Sequence, residues 1–157
     1  NYALALQIYA VLMIFSNIIY RYALPHDASG TSTRKIKLIG LSYAVGVSML
    51  GFTILPMIVP QIFEKFNDIG PAIQIISLAI IPTTIGLFYT SQILGREKSS
   101  VILASRILGS ISIIAMLVVL APLYGMVGAA SAFVLSALVG CVFLVCAEYY
   151  RTHNQRN

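Results

Sequence analysis

Five separate runs of about 20 mostly apolar residues bound every fold open to this chain. A helix needs about 20 such residues to cross a hydrocarbon core of about 30 Å, because in lipid its backbone amides and carbonyls must bond within their own segment. The runs cover about residues 2–24, 36–59, 71–94, 101–121 and 126–147, and a polar tail follows at 148–157. Charged residues are only 10% and mean hydropathy is +0.90, against about 25% charged in a soluble domain. The expected fold class is therefore an all-α membrane protein with five transmembrane helices, and its 157 residues are counted in spans rather than in globular domains.

Prolines and glycines punctuate these runs. Pro25 stands where the first helix is expected to stop, before the polar stretch 26–33, HDASGTST. The second run carries Gly40, Gly46, Gly51 and Pro56, which predicts a bent or closely packed helix that Pro60 helps to end. In the loop 61–70, Phe63 and Phe66 suit a headgroup interface. Pro71 fits the first turn of the third helix, while Pro82 weakens a turn within it; Pro82, Gly46 and Gly51 are the expected hinges. After Gly95 comes the tight loop Arg96, Glu97, Lys98, with Ser99 or Ser100 as a cap. Pro122 is expected to break the fourth helix before the fifth begins near Met126.

Within the fifth run Gly128, Ala132, Ser136 and Gly140 recur every four residues, which puts small side chains in one row down a helix. Close van der Waals packing of such rows is a main source of helix association in lipid.

The positive charges set an orientation. Arg21, Arg34, Lys35 and Lys37 flank the first loop, Arg96, Lys98 and Arg106 the third, and Arg151 and Arg156 occupy the tail, leaving only Lys65 on the other side. The positive-inside rule then makes loops one and three and the C-terminus cytoplasmic, with the N-terminus of the chain outside. Asn1 is not a methionine and no basic segment precedes the first run, so that run is not a signal peptide. An N-terminus on the outside leads to the expectation of earlier spans, and of a chain forming the C-terminal part of a longer membrane protein whose N-terminal half is its partner.

The net charge of +5 sits at span ends, which suits anchoring to anionic membrane lipid rather than to nucleic acid. Tyr20, Tyr22, Tyr149 and Tyr150 read as an inner aromatic belt and Tyr124 as part of an outer one. Cys141 and Cys146 fall on different sides of one helix, so they form neither a disulfide with each other nor a metal pair, and His26 and His153 are isolated in polar segments. No metal or cofactor is expected. Nor is catalysis: the GREKS segment at 95–99 lacks the glycine pattern of a phosphate cradle, and no nucleophile has a neighbouring base. The acids Asp27, Glu64, Asp68, Glu97 and Glu148 all lie in loops or at span ends, so none is placed to carry a proton or sodium ion in mid-membrane.

Two polar stripes remain. At 3.6 residues per turn Gln7, Asn17 and Arg21 fall within about 80° of arc, with Ala3, Ala10 and Ile14 on the same face; this face reads as the lining of a wet cavity, with Arg21 offering a cation to an anionic substrate. Gln74, Ser77, Thr84 and Ser91 make one side of the third helix polar, for interhelical hydrogen bonds or for a second wet face. Arg106, inside the fourth run, either snorkels to the headgroups or meets a lipid phosphate.

Residues 78–105 (LAIIPTTIGLFYTSQILGREKSSVILAS), 120–132 (LAPLYGMVGAASA) and 2–25 (YALALQIYAVLMIFSNIIYRYALP) resemble spans of the polysaccharide and O-antigen flippases, a branch of the multidrug/oligosaccharidyl-lipid/polysaccharide exporter superfamily. The resemblance implies two lobes of about twelve to fourteen helices in all around a central cavity, with this chain as most of the C-terminal lobe. It implies translocation of a lipid pyrophosphate-linked oligosaccharide across the cytoplasmic membrane by alternating access, with Arg21, Asn17 and Gln7 as cavity residues meeting the substrate; Arg106 matches no firm motif of the family and is a fourth candidate from its place in the span alone. Multidrug or cation antiport in the same superfamily is the alternative, from which the chain departs by its lack of mid-membrane acids. A helical scaffold subunit is a second alternative. A membrane-embedded glycosyltransferase, which needs an acid near the membrane surface, is a third; Glu64 and Asp68 support it poorly.

Overall fold

A computed structural model of the chain describes residues 2–29, 34–62, 70–95 and 99–154. All described elements are helical: α1 (Tyr2–Leu12), α2 (Ile14–Ala28), α3 (Arg34–Thr53), α4 (Leu55–Ile62), α5 (Gly70–Leu78), α6 (Ile80–Gly95) and α7 (Ser99–Asn154). Three helical stretches, Lys35–Thr53, Gly70–Gly95 and Ser99–Tyr150, are long and apolar enough to cross a membrane, and the bent pair α1 and α2, 41° at its break, makes up to four. Five separate helices were expected. The difference arises because the fourth and fifth apolar runs, counted together in Ser99–Tyr150, are two helices that meet at the non-helical Gly125, the first of them passing through Pro122.

Gly125 has φ 56° and ψ −127°, a conformation essentially closed to residues with a Cβ. The chain folds back there into two arms, 99–124 and 126–154, and Ser105 Oγ lies 3.4 Å from the Gly140 carbonyl oxygen on the opposite arm. Pro122 costs little three residues before this turn, where a regular helix is about to end in any case.

Two further prolines expected to stop helices also lie inside them: α2 runs past Pro25 to Ala28 and α4 past Pro60 to Ile62. The last turn of α2 is held by local bonds, with the Ser29 amide on the Pro25 carbonyl at 3.1 Å, Ser29 Oγ on the His26 carbonyl at 2.9 Å and the His26 ring stacked on Tyr22 at 4.5 Å. His26 and Asp27 are therefore helical rather than part of a loop.

Where proline does disturb a helix, side chains repair the backbone. The second run divides at Ile54, just before Pro56. Pro56 has no amide to offer the carbonyl four residues back, at Phe52, and Gln74 Nε2 reaches that oxygen at 3.4 Å. The third run divides at Ala79, ahead of Pro82, and Ser48 Oγ donates to the Ser77 carbonyl at 3.0 Å beside the break.

The α5–α6 pair is the centre of the bundle: within an apolar 18-residue window of Gly70–Gly95 50% of residues are buried, against 22% in the corresponding windows of the other two long stretches. One cluster joins Ala5, Val59, Ala72, Ile73, Ile76 and Ala130, and so unites α1, α4, α5 and the return arm of α7. A second joins Met13, Ala44 and Ile80. At one end Asp27 Oδ2 receives Lys37 Nζ at 2.5 Å and Ser91 Oγ at 2.6 Å, which ties α2, α3 and α6 together by a charge pair only 9–11% exposed.

Of the expected loops and charges, residues 30–33, 63–69 and 96–98 lie outside the described residues, and with them Glu64, Lys65, Asp68, Arg96, Glu97 and Lys98; so do the side chains of Arg34 and Arg151.

Candidate functional site

The four cationic and polar residues expected to meet a substrate divide between two places. Gln7, Asn17 and Arg21 are exposed, as are Ala10 and Ile14 beside them, while Ala5, Met13, Ser16, Ile19 and Ala23 of the same helix pair are buried. Arg21 and Asn17 each stand two positions from Ile19, which at 100° per residue carries them to the side away from the packed bundle. Asn17 also serves the bend, since its Nδ2 donates to the Met13 carbonyl at 3.0 Å. Arg21 has no carboxylate partner among the described residues.

Arg106 lies elsewhere, at a groove of about 440 Å³ between α6 and the two arms of α7. None of Gln7, Asn17 and Arg21 lines it. Helical spacing creates the groove. Ser105 and Gly109 on one arm and Ser136 and Gly140 on the other sit four residues apart, with Ser110 and Cys141 next to the second of each pair, so both arms turn small side chains to the same gap, and α6 adds Thr83, Gly86 and Thr90. On the first arm the lining runs from Ile102 to Ile113, a length of about 16 Å at 1.5 Å per residue.

The two ends of the groove differ. Arg106 stands one turn beyond Ile102, and a helical side chain leans toward the N-terminus of its helix, which directs the guanidinium toward Ser99. It is exposed and has no carboxylate partner among the described residues. The far end is closed by Tyr9 and Phe133, edge to face with ring centres 5.1 Å apart, and Tyr9 Oη donates to Thr83 Oγ1 at 2.9 Å.

Several hydroxyls along the walls already spend their protons on backbone carbonyls: Thr90 on Gly86 at 2.7 Å, Ser136 on Phe133 at 2.8 Å and Ser105 on Gly140 at 3.4 Å. These residues can accept but do not donate into the groove. The charged donor is Arg106.

The remaining expected sites fall as follows. Ala132 and Ser136 are buried, and the row that they share with Gly128 and Gly140 faces the opposite arm of α7. A Cβ on Gly128 would stand 2.0 Å from the Leu120 carbonyl oxygen, whereas one on Gly140 would meet Ser105 Oγ at 3.9 Å, an ordinary contact. Of the hinge residues, Pro82 is buried on the groove wall, Gly51 lies against Ser77 of α5, and a Cβ on Gly46 would meet nothing within 4 Å. The polar row of the third run is consumed in packing: Gln74 reaches Phe52, Ser77 donates to Ile73 at 2.8 Å, Thr84 shares a hydrogen bond of 3.0 Å with Ser16, and Ser91 serves Asp27.

Sequence reasoning placed Arg106 in a span but missed the groove beside it. The signal was present in the matched spacing of small residues on the two apolar runs, which becomes a groove only once the runs fold against each other. Among the described residues no group of three or more His, Cys, Asp or Glu side chains is placed to hold a metal ion. Comparison with protein-family models, with curated proteins and with solved structures finds no match to this chain.

Proposed function

We propose that the chain forms part of a membrane transporter that moves a lipid pyrophosphate-linked oligosaccharide across the cytoplasmic membrane by alternating access, and that it contributes most of one lobe. The observation that carries this reading is the exposure of Gln7 on α1 and of Asn17 and Arg21 on α2. Arg21 lies near the end of its span, where a guanidinium must reach headgroups or water; a second lobe on that side would enclose a wet cavity in which Arg21, without a carboxylate partner among the described residues, keeps its charge for an anionic substrate. The resemblance of the opening span to cavity-bordering spans of the flippases supports the same assignment. In this reading Arg21 meets the pyrophosphate, Asn17 and Gln7 offer hydrogen bonds, and the lipid tail stays in the bilayer.

Replacement of Arg21 by alanine is expected to lower translocation of the lipid-linked oligosaccharide about tenfold, the effect of losing one charge-assisted contact of about 1.4 kcal/mol. Membrane abundance is measured in parallel, and Arg21→Lys should recover part of the loss. Equal translocation by Arg21→Ala at equal abundance would overturn the assignment.

A further inference from the structure

We infer that the groove between α6 and the two arms of α7 is a binding site for one anionic phospholipid, with the lipid phosphate on Arg106 and one acyl chain lying along the groove toward Tyr9 and Phe133. The inference rests on the chain being embedded in a membrane, not on which substrate it moves.

Length is the first argument. The lining extends about 16 Å along the first arm, close to one leaflet of a hydrocarbon core about 30 Å thick. Polarity is the second. Arg106 stands toward one end, leaning toward Ser99, while Thr90, Ser105 and Ser136 have already given their protons to backbone carbonyls. A ligand polar along its length would find few donors there. A ligand with one anionic head and an apolar body matches the distribution.

Charge is the third argument. Arg106 has no carboxylate within ion-pair distance among the described residues, and a guanidinium in an apolar helix must find an anion or reach water. A phosphate is the anion that a membrane supplies at that depth, and its oxygens suit the planar donor fork of arginine. Shape is the fourth. Gly86, Gly109 and Gly140 line the groove, where any larger side chain would occupy the volume given to the acyl chain.

The test is native mass spectrometry of the full-length protein reconstituted into phosphatidylcholine bilayers containing a minority of phosphatidylglycerol. One phosphatidylglycerol is expected to remain bound through detergent extraction. Arg106→Gln should lower its occupancy about tenfold relative to phosphatidylcholine, corresponding to about 1.4 kcal/mol, while Arg106→Lys retains most of it and Gly140→Leu, which fills the groove, removes it. Lys35→Ala, an exposed cation on α3, should leave occupancy unchanged. Undiminished phosphatidylglycerol in both Arg106→Gln and Gly140→Leu would overturn the inference. So would retention of phosphatidylcholine alone, or binding of inorganic phosphate in place of lipid. The readout is bound lipid rather than transported substrate, so loss of this site and failure of the Arg21 assignment are separate results.

Discussion

At the scale of single residues, the charges divide by whether they have a partner. Arg21 and Arg106 have no carboxylate partner among the described residues, whereas Lys37 and Asp27 meet at 2.5 Å with Ser91 against the same carboxylate. The sequence places Asp27 in the loop after Pro25, and its partners, 10 and 64 positions away, cannot be read from there. Once α2 continues through Pro25, the carboxylate is carried in among three helices. Removing one member of such a pair leaves an uncompensated charge with little water, and the cost of breaking a buried pair is about 3–5 kcal/mol. Asp27→Ala is thus expected to destabilise by about 3 kcal/mol, and Asp27→Ala combined with Lys37→Met by clearly less than the sum of the two single changes. Thermal unfolding of the four proteins in detergent checks this; strictly additive losses would mean that the pair contributes nothing as a pair.

At the scale of elements, apolar runs located the helices well, since lipid and helical backbone satisfaction leave few alternatives. Prolines misled the reading of where those helices end. Pro25 and Pro60 sit inside helices, and the fourth and fifth runs continue through Pro122 to a turn at Gly125. Breaks fall at Met13, which carries no proline or glycine signal, and at Ile54 and Ala79, ahead of Pro56 and Pro82 where a bend and a weakened turn are expected; side chains from neighbouring helices such as Gln74 and Ser48 serve the carbonyls next to the latter two. Such partners come from distant positions and cannot be read from local pattern. The two hinge glycines of the second run are likewise indistinguishable in sequence but not in the fold. A Cβ at Gly51 would stand 2.5 Å from Ser77 Oγ, and one at Gly46 would meet nothing within 4 Å. Gly46→Ala is expected to stabilise α3 by about 0.5–1 kcal/mol, the usual difference in helix propensity, and Gly51→Ala to destabilise it by forcing α3 and α5 apart. The two changes should move the unfolding temperature in opposite directions.

At the scale of the molecule, the turn at Gly125 decides whether there is a groove at all, because it sets two arms of small residues against each other and against α6. The row Gly128, Ala132, Ser136 and Gly140 was legible as a packing row; that its members have unequal duties was not, since the difference depends on distance from the turn. Close to it, the arms converge until Gly128 lies against the Leu120 carbonyl, where a Cβ would come within 2.0 Å of the oxygen. Backbone cannot yield there without reopening the turn. Farther along, the arms separate enough for the groove, and a Cβ on Gly140 would make an ordinary 3.9 Å contact with Ser105 Oγ. Gly128→Ala is therefore expected to disrupt the hairpin, at the upper end of the roughly 1–3 kcal/mol usual for overpacking or beyond it, and to lower the yield of folded protein. Gly140→Ala should cost less than about 1 kcal/mol and leave the yield unchanged. Fluorescence-detected size exclusion of the two variants beside the unaltered chain separates these outcomes. Equal yields would mean that the arms do not converge at Gly128, and with that the geometry that opens the groove at Arg106 would fail as well.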